Sequence, residues 1–160
     1  MTTRLDHALT YDAPLADVAA MLADPAFRQE VCVRTGTTRH DVSIEGSGAG
    51  MHVSIDQAQS AAGIPSYAKK LVGNEIRYVQ VEEWSAHDHA RVNVAIPGKP
   101  GEMAGTIALV EGAGTTTETV TMDIRVGIPL AGGKIESLVA DMLRAALEIE
   151  NTVGRDYLSR

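Results

Sequence analysis

The sequence predicts one α+β domain, residues 1–160, in which a curved antiparallel sheet of about seven strands packs around a long C-terminal helix. Two observations favour this fold. Most of the chain consists of short segments in which apolar and polar residues alternate, separated by glycine-rich turns, as in antiparallel hairpins. The last segment, residues 134–157, instead repeats apolar residues at spacings of three and four, as in an amphipathic helix.

A first strand and two short helices are predicted to open the chain. Residues 4–11 carry Leu, His, Leu and Tyr at alternate positions, which is typical of a strand with one inward face. Asp12 and Pro14 favour a helix start directly afterwards, and this helix ends near Asp24. Asp24 is in turn placed to cap a second helix, which ends at Gly36.

Six strands are predicted after the helices. They cover residues 42–44, 51–55, 76–86, 89–96, 102–111 and 116–126. A glycine-rich turn at residues 46–50 joins the first pair, and His87-Asp88 joins the second. Residues 57–73 interrupt the alternation with a candidate short helix at 67–71, so we interpret this segment as a candidate lid.

The last four strands share one inner face if their hairpins close tightly. This face comprises Val79, Val81, Val92, Val94, Met103, Gly105, Ile107, Val120, Met122 and Ile124. In the same register Glu83 points inward and Trp84 points outward. The C-terminal helix presents a facing apolar stripe of Ile135, Leu138, Val139, Met142, Ala146, Ile149 and Val153. At about 1.5 Å per residue this helix is ~36 Å long, enough to cross the sheet.

A sheet that curves around one helix leaves space between the two layers, and this space predicts an internal apolar cavity. Its expected ligand-binding residues are Tyr67, Val79, Val81, Val92, Val94, Met103, Ile107, Met122, Ile124, Leu138, Met142 and Ile149. Aromatic residues form only 4% of the chain, so the cavity wall should be aliphatic and should select ligands by shape.

The composition excludes several classes of partner. A net charge of −7 disfavours nucleic acids and anionic membrane surfaces, because both require a basic protein surface. Cys32 is the single cysteine and cannot form an internal disulfide. The first residues lack the apolar run of a signal peptide, and no run of about eighteen apolar residues occurs. We therefore expect a cytoplasmic protein without stable membrane insertion, and the oligomeric state is left open.

Two sequence features contain residue types used in cofactor or metal sites. The turn at residues 46–50 resembles a phosphate-binding loop only in its glycines, because it joins two strands and no helix follows it. His87-Asp88-His89 falls at a predicted hairpin tip, where a solvated turn is favoured over a closed metal site. Cys32 lies on the apolar side of a short helix and is interpreted as a small buried side chain. We expect neither a metal nor a cofactor.

His7 and Glu83 are the candidate catalytic residues for proton transfer. His7 points inward from the first strand, where the alternative is a hydrogen-bonded lining histidine. Glu83 points inward in the predicted register, and burial would raise its pKa and make it a general acid. The alternative for Glu83 is a solvated strand end. No nucleophilic Ser or Cys is placed beside either residue by the sequence.

The predicted order, strand, two short helices, six strands and long helix, resembles the START and birch-pollen-allergen-like helix-grip superfamily. The most specific matches are Asp-Pro-Ala-Phe at 24–27, Lys-Leu-Val-Gly at 70–73, Glu-Trp at 83–84 and the segment 128–136 that opens the last helix. These look most like an uncharacterised bacterial branch. The resemblance implies a cavity for lipids, sterols, polyketides or similar molecules, in carriers, ligand sensors, cyclases and hydrolase-like enzymes. It carries over no shared catalytic motif.

Three functions are compatible with this fold. We favour a non-catalytic binding or carrier protein for a small hydrophobic molecule such as a lipid or polyketide. The first alternative is a cyclase-like or hydrolase-like enzyme that acts on an apolar carbonyl compound. The second is an interaction domain whose cavity is closed by its own side chains. The number of polar groups that converge in the cavity discriminates between binding and catalysis.

Overall fold

The computed structural model describes residues 2–160, and its elements follow the predicted order. Within these residues there are seven strands: β1 (Thr3–Tyr11), β2 (Arg39–Glu45), β3 (His52–Ser60), β4 (Glu75–Ala86), β5 (His89–Ala95), β6 (Glu102–Gly112) and β7 (Thr115–Arg125). The same residues contain four helices: α1 (Leu15–Leu22), α2 (Pro25–Thr35), α3 (Ser66–Val72) and α4 (Gly132–Leu158). The predicted α+β architecture is confirmed, and α3 matches the predicted short helix.

The strands form one antiparallel sheet in the order β1-β7-β6-β5-β4-β3-β2. Strands β2 to β7 follow one another as neighbours, and β1 from the start of the chain pairs with β7. Helix α4 packs against β1 and β7, while α1 and α2 contact both α4 and the sheet. The sheet and α4 therefore form the two layers of the predicted grip, with α1 and α2 packed against both.

The boundary between α1 and α2 forms as the local sequence predicts. Asp24 caps α2, because its carboxylate accepts a hydrogen bond of 2.9 Å from the backbone N–H of Ala26. Pro25 occupies the first helical position, where no N–H is required. Gly36 ends α2 with a φ of 86°, a left-handed conformation that glycine adopts without strain. The tyrosine hydroxyl of Tyr157 on α4 also donates to Asp24, which ties the cap to the last helix.

The predicted register of β4 is wrong by one residue. Trp84 pairs with Ala90, whereas Ala86 pairs with His89, so Ser85 is an extra residue that forms a bulge. A single extra residue exchanges the two faces of a strand. Glu82 and Trp84 consequently point inward and are buried, while Glu83 is exposed. Val79 and Val81 lie on the opposite face from the one predicted, whereas the inward positions predicted for β5, β6 and β7 are buried except for the half-buried Gly105.

Helix α4 is anchored where it begins and where it ends. At its start, the buried carboxylate of Glu136 accepts hydrogen bonds of 2.9 Å from the backbone of Val126 and from the hydroxyl of Thr3. Near its end, Gly154 lies against the ring of Tyr11, and a Cβ there would be 2.5 Å from a ring carbon. The helix is amphipathic, and no helix within residues 2–160 has the length and apolar composition needed to cross a membrane.

Candidate functional site

A cavity of about 400 Å³ lies between the sheet and α4, with α2 and α3 contributing to its walls. Its sheet side is aliphatic and consists mainly of Ile55, Ile76, Val92, Val94, Met103, Ile107, Val120 and Met122. Its helix side consists mainly of Ile135, Leu138, Val139, Met142, Leu143, Ala146 and Ile149. The alternation of the strands and the helical stripe thus place two apolar surfaces opposite each other with space between them.

One side of the cavity lies close to solvent. Met142 borders the cavity and is 38% exposed, so the middle of α4 does not seal the space completely. The predicted lid segment contributes Ile64 and the α3 residues Ala68 and Leu71 to the wall. We call this region, residues 64–72 with the middle of α4, the cavity mouth. Residues 57–60 of the predicted lid belong to β3 and pair with β4, so the predicted start of this segment is wrong. That the remaining residues 61–73 open and close stays a prediction.

The other side of the cavity contains a buried ion pair between Arg28 of α2 and Glu82 of β4. Two parallel hydrogen bonds of 2.8 Å join the guanidinium to both carboxylate oxygens, and Arg28 also donates to the carbonyl of Leu22. Gln80 and Trp84 donate further hydrogen bonds of 2.6 and 3.0 Å to Glu82. Burial opposes ionisation of Glu82, but Arg28 and these donors hold its pKa below the ordinary value. The pair is therefore ionised, and both oxygens of Glu82 accept two hydrogen bonds each.

Two further carboxyl groups border the cavity beside this ion pair. Burial raises the pKa of Glu118 on β7 well above the ordinary value, and the charge of Glu150 on α4 raises it further. Burial also raises the pKa of Glu150 to about 7, although Arg28 opposes the shift. Glu150 is half-buried and borders the cavity. We call Arg28, Glu82, Glu118 and Glu150 the polar end of the cavity.

Two buried polar atoms near this polar end have no hydrogen-bond partner in the protein. One is the Oε1 atom of Glu118, whose side chain is 2% exposed. The other is the hydroxyl of Tyr11, whose side chain is fully buried and does not border the cavity. Burial raises the pKa of Tyr11, as do the charges of Glu118 and Glu150, so its hydroxyl stays protonated. Buried polar atoms usually have a hydrogen-bond partner, which in proteins is often a bound water or a ligand group.

The structure brings most of the predicted ligand-binding residues to this cavity. The lining includes Val92, Val94, Met103, Ile107, Met122, Leu138, Met142 and Ile149. Four predicted residues are not part of it: Tyr67, Val79, Val81 and Ile124. Val79 and Val81 face away because of the β4 bulge, Ile124 is buried outside the cavity, and Tyr67 lies under the ammonium of Lys134 at 4.1 Å. That the lining residues bind a ligand stays a prediction.

Neither predicted catalytic residue borders the cavity. Glu83 is exposed because of the β4 register and forms a surface ion pair of 3.4 Å with Arg91. His7 is half-buried on the predicted face of β1, opposite Val120, but is not part of the cavity wall. The expectation that Glu83 points inward is therefore wrong, and the cavity's ionisable groups are different residues.

The polar end was missed because its residues are separated in the sequence. Glu118 had a detectable signal, since it lies two residues before Val120 on the predicted inner face. Glu150 lies next to Ile149 and three residues before Val153, within the apolar stripe of α4. Glu82 could be assigned inward only with knowledge of the bulge at Ser85. A charged residue at an inward position was thus the available signal.

The remaining motifs have structural roles. Residues 46–51 form the turn between β2 and β3, as predicted. Cys32 is buried, borders the cavity and lies 3.5 Å from the side-chain oxygen of Gln57, and burial raises its pKa to about 11. Its thiol therefore stays protonated. Across residues 2–160, the side chains of His, Cys, Asp and Glu form no group of three or more with metal-binding geometry.

The structure is similar to solved helix-grip proteins along nearly its whole length. The TTHA0849 protein from Thermus thermophilus matches with a TM-score of 0.67 and 15% identity over 96% of this chain and 95% of that chain. The Zhui aromatase/cyclase from Streptomyces sp. R1128 matches with a TM-score of 0.60 and 17% identity over 98% of this chain and 90% of that chain. Norcoclaurine synthase from Thalictrum flavum matches with a TM-score of 0.65 and 15% identity over 100% of this chain and 88% of that chain. These likenesses establish the fold class, a helix-grip fold of the START and birch-pollen-allergen-like type.

A family model identifies the chain more closely. Residues 6–158 match the family described as "Protein of unknown function (DUF2505)", and the chain belongs to this family. No curated protein matches the sequence significantly. The function therefore has to be argued from the residues of the cavity.

Proposed function

We propose that this protein binds one small hydrophobic molecule in the cavity between its sheet and α4. The observation that carries the proposal is a cavity of about 400 Å³ with an aliphatic wall and a partly exposed rim at Met142. Cavities that hold small ligands measure roughly 300–1,000 Å³ and are lined mainly by apolar side chains with a few polar groups. The cavity satisfies both conditions and has the size for one ligand.

The driving force is removal of apolar ligand surface from water. This contributes roughly 25 cal/mol for each Å² of apolar area that becomes buried. Aliphatic side chains line both long walls, and methionines are present on three elements, β6, β7 and α4. Because methionine is unbranched and flexible, such a wall adapts to ligands of different outline. Binding of one lipid-like or polyketide-like molecule is the function that these features support best.

Binding of Nile red, an uncharged apolar dye, tests this proposal. The dye should bind with a 1:1 stoichiometry and should be displaced by smaller apolar molecules. Ala146→Phe places an aromatic ring at a cavity-lining position of α4 and should weaken dye binding by about tenfold or more. Glu148→Phe adds the same ring at an exposed position of α4 and should leave dye binding unchanged. Equal binding to both variants contradicts the proposal.

A second candidate function is an enzyme that acts on an apolar carbonyl compound. The observation that favours it is the pair Glu118 and Glu150, since a carboxyl with a raised pKa can exchange a proton near neutral pH. Hydrogen–deuterium exchange at the carbons beside the carbonyl of 2-decanone, followed by NMR, tests this function without a known substrate. Exchange faster than in buffer, and lost in Glu118→Gln, supports an enzyme. Exchange at the buffer rate supports a binding protein.

A further inference from the structure

The polar end of the cavity contains three carboxyl groups and one guanidinium. Arg28 contributes the single cation among its four residues, and Glu82 neutralises it through two hydrogen bonds. A third N–H group of Arg28 is bound by the carbonyl of Leu22. Glu118 and Glu150 remain as two carboxyls without an ion-pair partner of their own. The polar end therefore has an excess of acidic groups over basic ones.

The orientation of Glu118 supplies an independent observation. Its side chain is 2% exposed, borders the cavity, and has one oxygen without a hydrogen-bond partner. Once this carboxyl is ionised, its buried oxygen requires a hydrogen-bond donor, and the protein provides none at this atom. Because Glu118 borders the cavity, a ligand in the cavity can bring a donor to this carboxyl. A ligand that places a hydrogen-bond donor beside Glu118 would complete the site.

We propose that the ligand is an apolar amine whose ammonium group binds between Glu118 and Glu150, with its apolar part along the wall toward Met142. This inference rests on the proposed function and adds the chemical class of the ligand. An ammonium group offers three N–H donors and a positive charge, which matches two carboxyls and an unpartnered oxygen. A carboxylate ligand would instead add a negative charge to a site of low dielectric constant whose single cation, Arg28, is already paired with Glu82. The polar end thus selects amines over fatty acids.

The cavity limits the size of this amine. Its volume of about 400 Å³ lies in the lower part of the roughly 300–1,000 Å³ range of small-ligand pockets, so a ligand of moderate size is expected. A linear amine of ten carbons has this size. Decylamine, 1-decanol and decanoate therefore form a matched series in which only the head group differs.

Binding of an ammonium group should be linked to the protonation of the two carboxyls. In the empty cavity, burial favours their neutral forms. The ionisable and charged groups that surround them are Tyr11 from β1, Arg28 and Cys32 from α2, and Glu82 from β4. Of these, Arg28 and Glu82 neutralise each other as an ion pair, while Tyr11 and Cys32 stay neutral. An arriving ammonium group should therefore displace a proton from Glu150 or Glu118.

Isothermal titration calorimetry of the intact protein near pH 6.5 tests this inference. Decylamine should bind about tenfold or more tightly than 1-decanol, and decanoate should bind most weakly. Titrations in phosphate and in a buffer with a larger ionisation enthalpy should show proton release with decylamine and none with 1-decanol. Glu118→Gln and Glu150→Gln should each weaken decylamine binding by about tenfold and leave 1-decanol binding unchanged. Glu148→Gln, on the exposed side of α4, is the matched control.

The head-group series also separates this inference from the proposed function. Decanoate binding as tight as decylamine binding, or decylamine binding without proton release, overturns the amine inference while the proposed function stands. Failure of all three molecules to bind overturns both. The comparison of head groups uses the unmodified protein, so it is decisive even if a Glu→Gln variant folds poorly.

Discussion

The last two turns of α4 and the middle of the same helix lie in different surroundings. Residues 151–158, the closed segment, pack against β1 and α2, with Val153 and Gly154 buried. Residues 138–150, the cavity segment, border the cavity, and Met142 is 38% exposed. Gly154 is required where α4 contacts Tyr11, whereas the cavity segment carries side chains that end in open space. One amphipathic stripe therefore supplies both a packed core and a ligand cavity.

The largest effect should come from breaking the buried ion pair between Arg28 and Glu82. Arg28→Met leaves the carboxylate of Glu82 buried without its cation. Such a change costs about 3–5 kcal/mol of unfolding free energy, which urea denaturation measures. Arg39→Met removes an exposed partner of Glu75 and should cost about 1 kcal/mol or less. Similar losses in the two variants would contradict the buried role of Arg28.

The next largest effect should come from adding a methyl group at Gly154, where the closed segment of α4 contacts Tyr11. In Gly154→Ala the new methyl group meets the ring of Tyr11 at 2.5 Å, so the helix or the ring must move. Overpacking of this kind costs about 1–3 kcal/mol in unfolding free energy. Gly63→Ala is the control, because a Cβ there meets no atom within 4 Å. Unchanged stability of Gly154→Ala, measured by thermal unfolding, would show that α4 lies farther from β1.

The pH dependence of stability should distinguish the polar end from the rest of the molecule. Glu150 has a pKa of about 7 in the folded protein and an ordinary carboxyl pKa when unfolded, so the folded state binds more protons between these values. The unfolding free energy should therefore fall as pH rises from about 5 to 8, by at most about 1.4 kcal/mol per pH unit for one proton. Glu150→Gln should reduce this slope. A slope unchanged in Glu150→Gln would mean that Glu150 ionises normally.

The pKa shift of Glu82 has the opposite direction to that of Glu150, so Glu82 changes the unfolding free energy in a different pH range. Its pKa is lowered in the folded protein, so it stabilises the fold above the ordinary carboxyl pKa and this contribution is lost at lower pH. Denaturation curves above about pH 5 therefore report on Glu118 and Glu150 without this contribution.

Truncation of Met142 in the cavity segment should have the smallest effect on stability. Its side chain is partly exposed and borders open space, so Met142→Ala should cost about 1 kcal/mol. Met21→Ala, in the closed core, should cost about 2–5 kcal/mol. Nile red affinity should change in Met142→Ala and not in Met21→Ala. A large stability loss in Met142→Ala with unchanged dye binding would place Met142 in a closed core.

The element order and most inward faces could be predicted because they depend on local patterns. Asp24, Pro25 and Gly36 define α2 through capping and backbone preferences that act within a few residues. The β4 face could not be predicted from alternation, because the bulge at Ser85 shifts its pairing with β5. A bulge depends on both strands and leaves no clear mark in one of them.

The candidate site was predictable in its apolar part and not in its polar part. Val92, Met103 and Met122 follow from alternation alone. The polar end combines residues of α2, β4, β7 and α4, and only the folded chain brings these elements together. The helical periodicity also places Met142 and Val153 on the same apolar stripe of α4. Met142 nevertheless borders the cavity, whereas Val153 is fully buried. The apolar pattern indicates which face of an element points inward. It does not indicate whether that face packs against other side chains or borders a cavity.

The methionine methyl groups provide the most direct test of the cavity. Met103, Met122 and Met142 border the cavity on β6, β7 and α4, whereas Met21 and Met51 are buried outside it. In protein labelled with ¹³C at these methyl groups, titration with decylamine should shift the resonances of the first three and leave the other two in place. Shifts confined to Met21 and Met51, or equal shifts at all five, would contradict a ligand cavity between the sheet and α4.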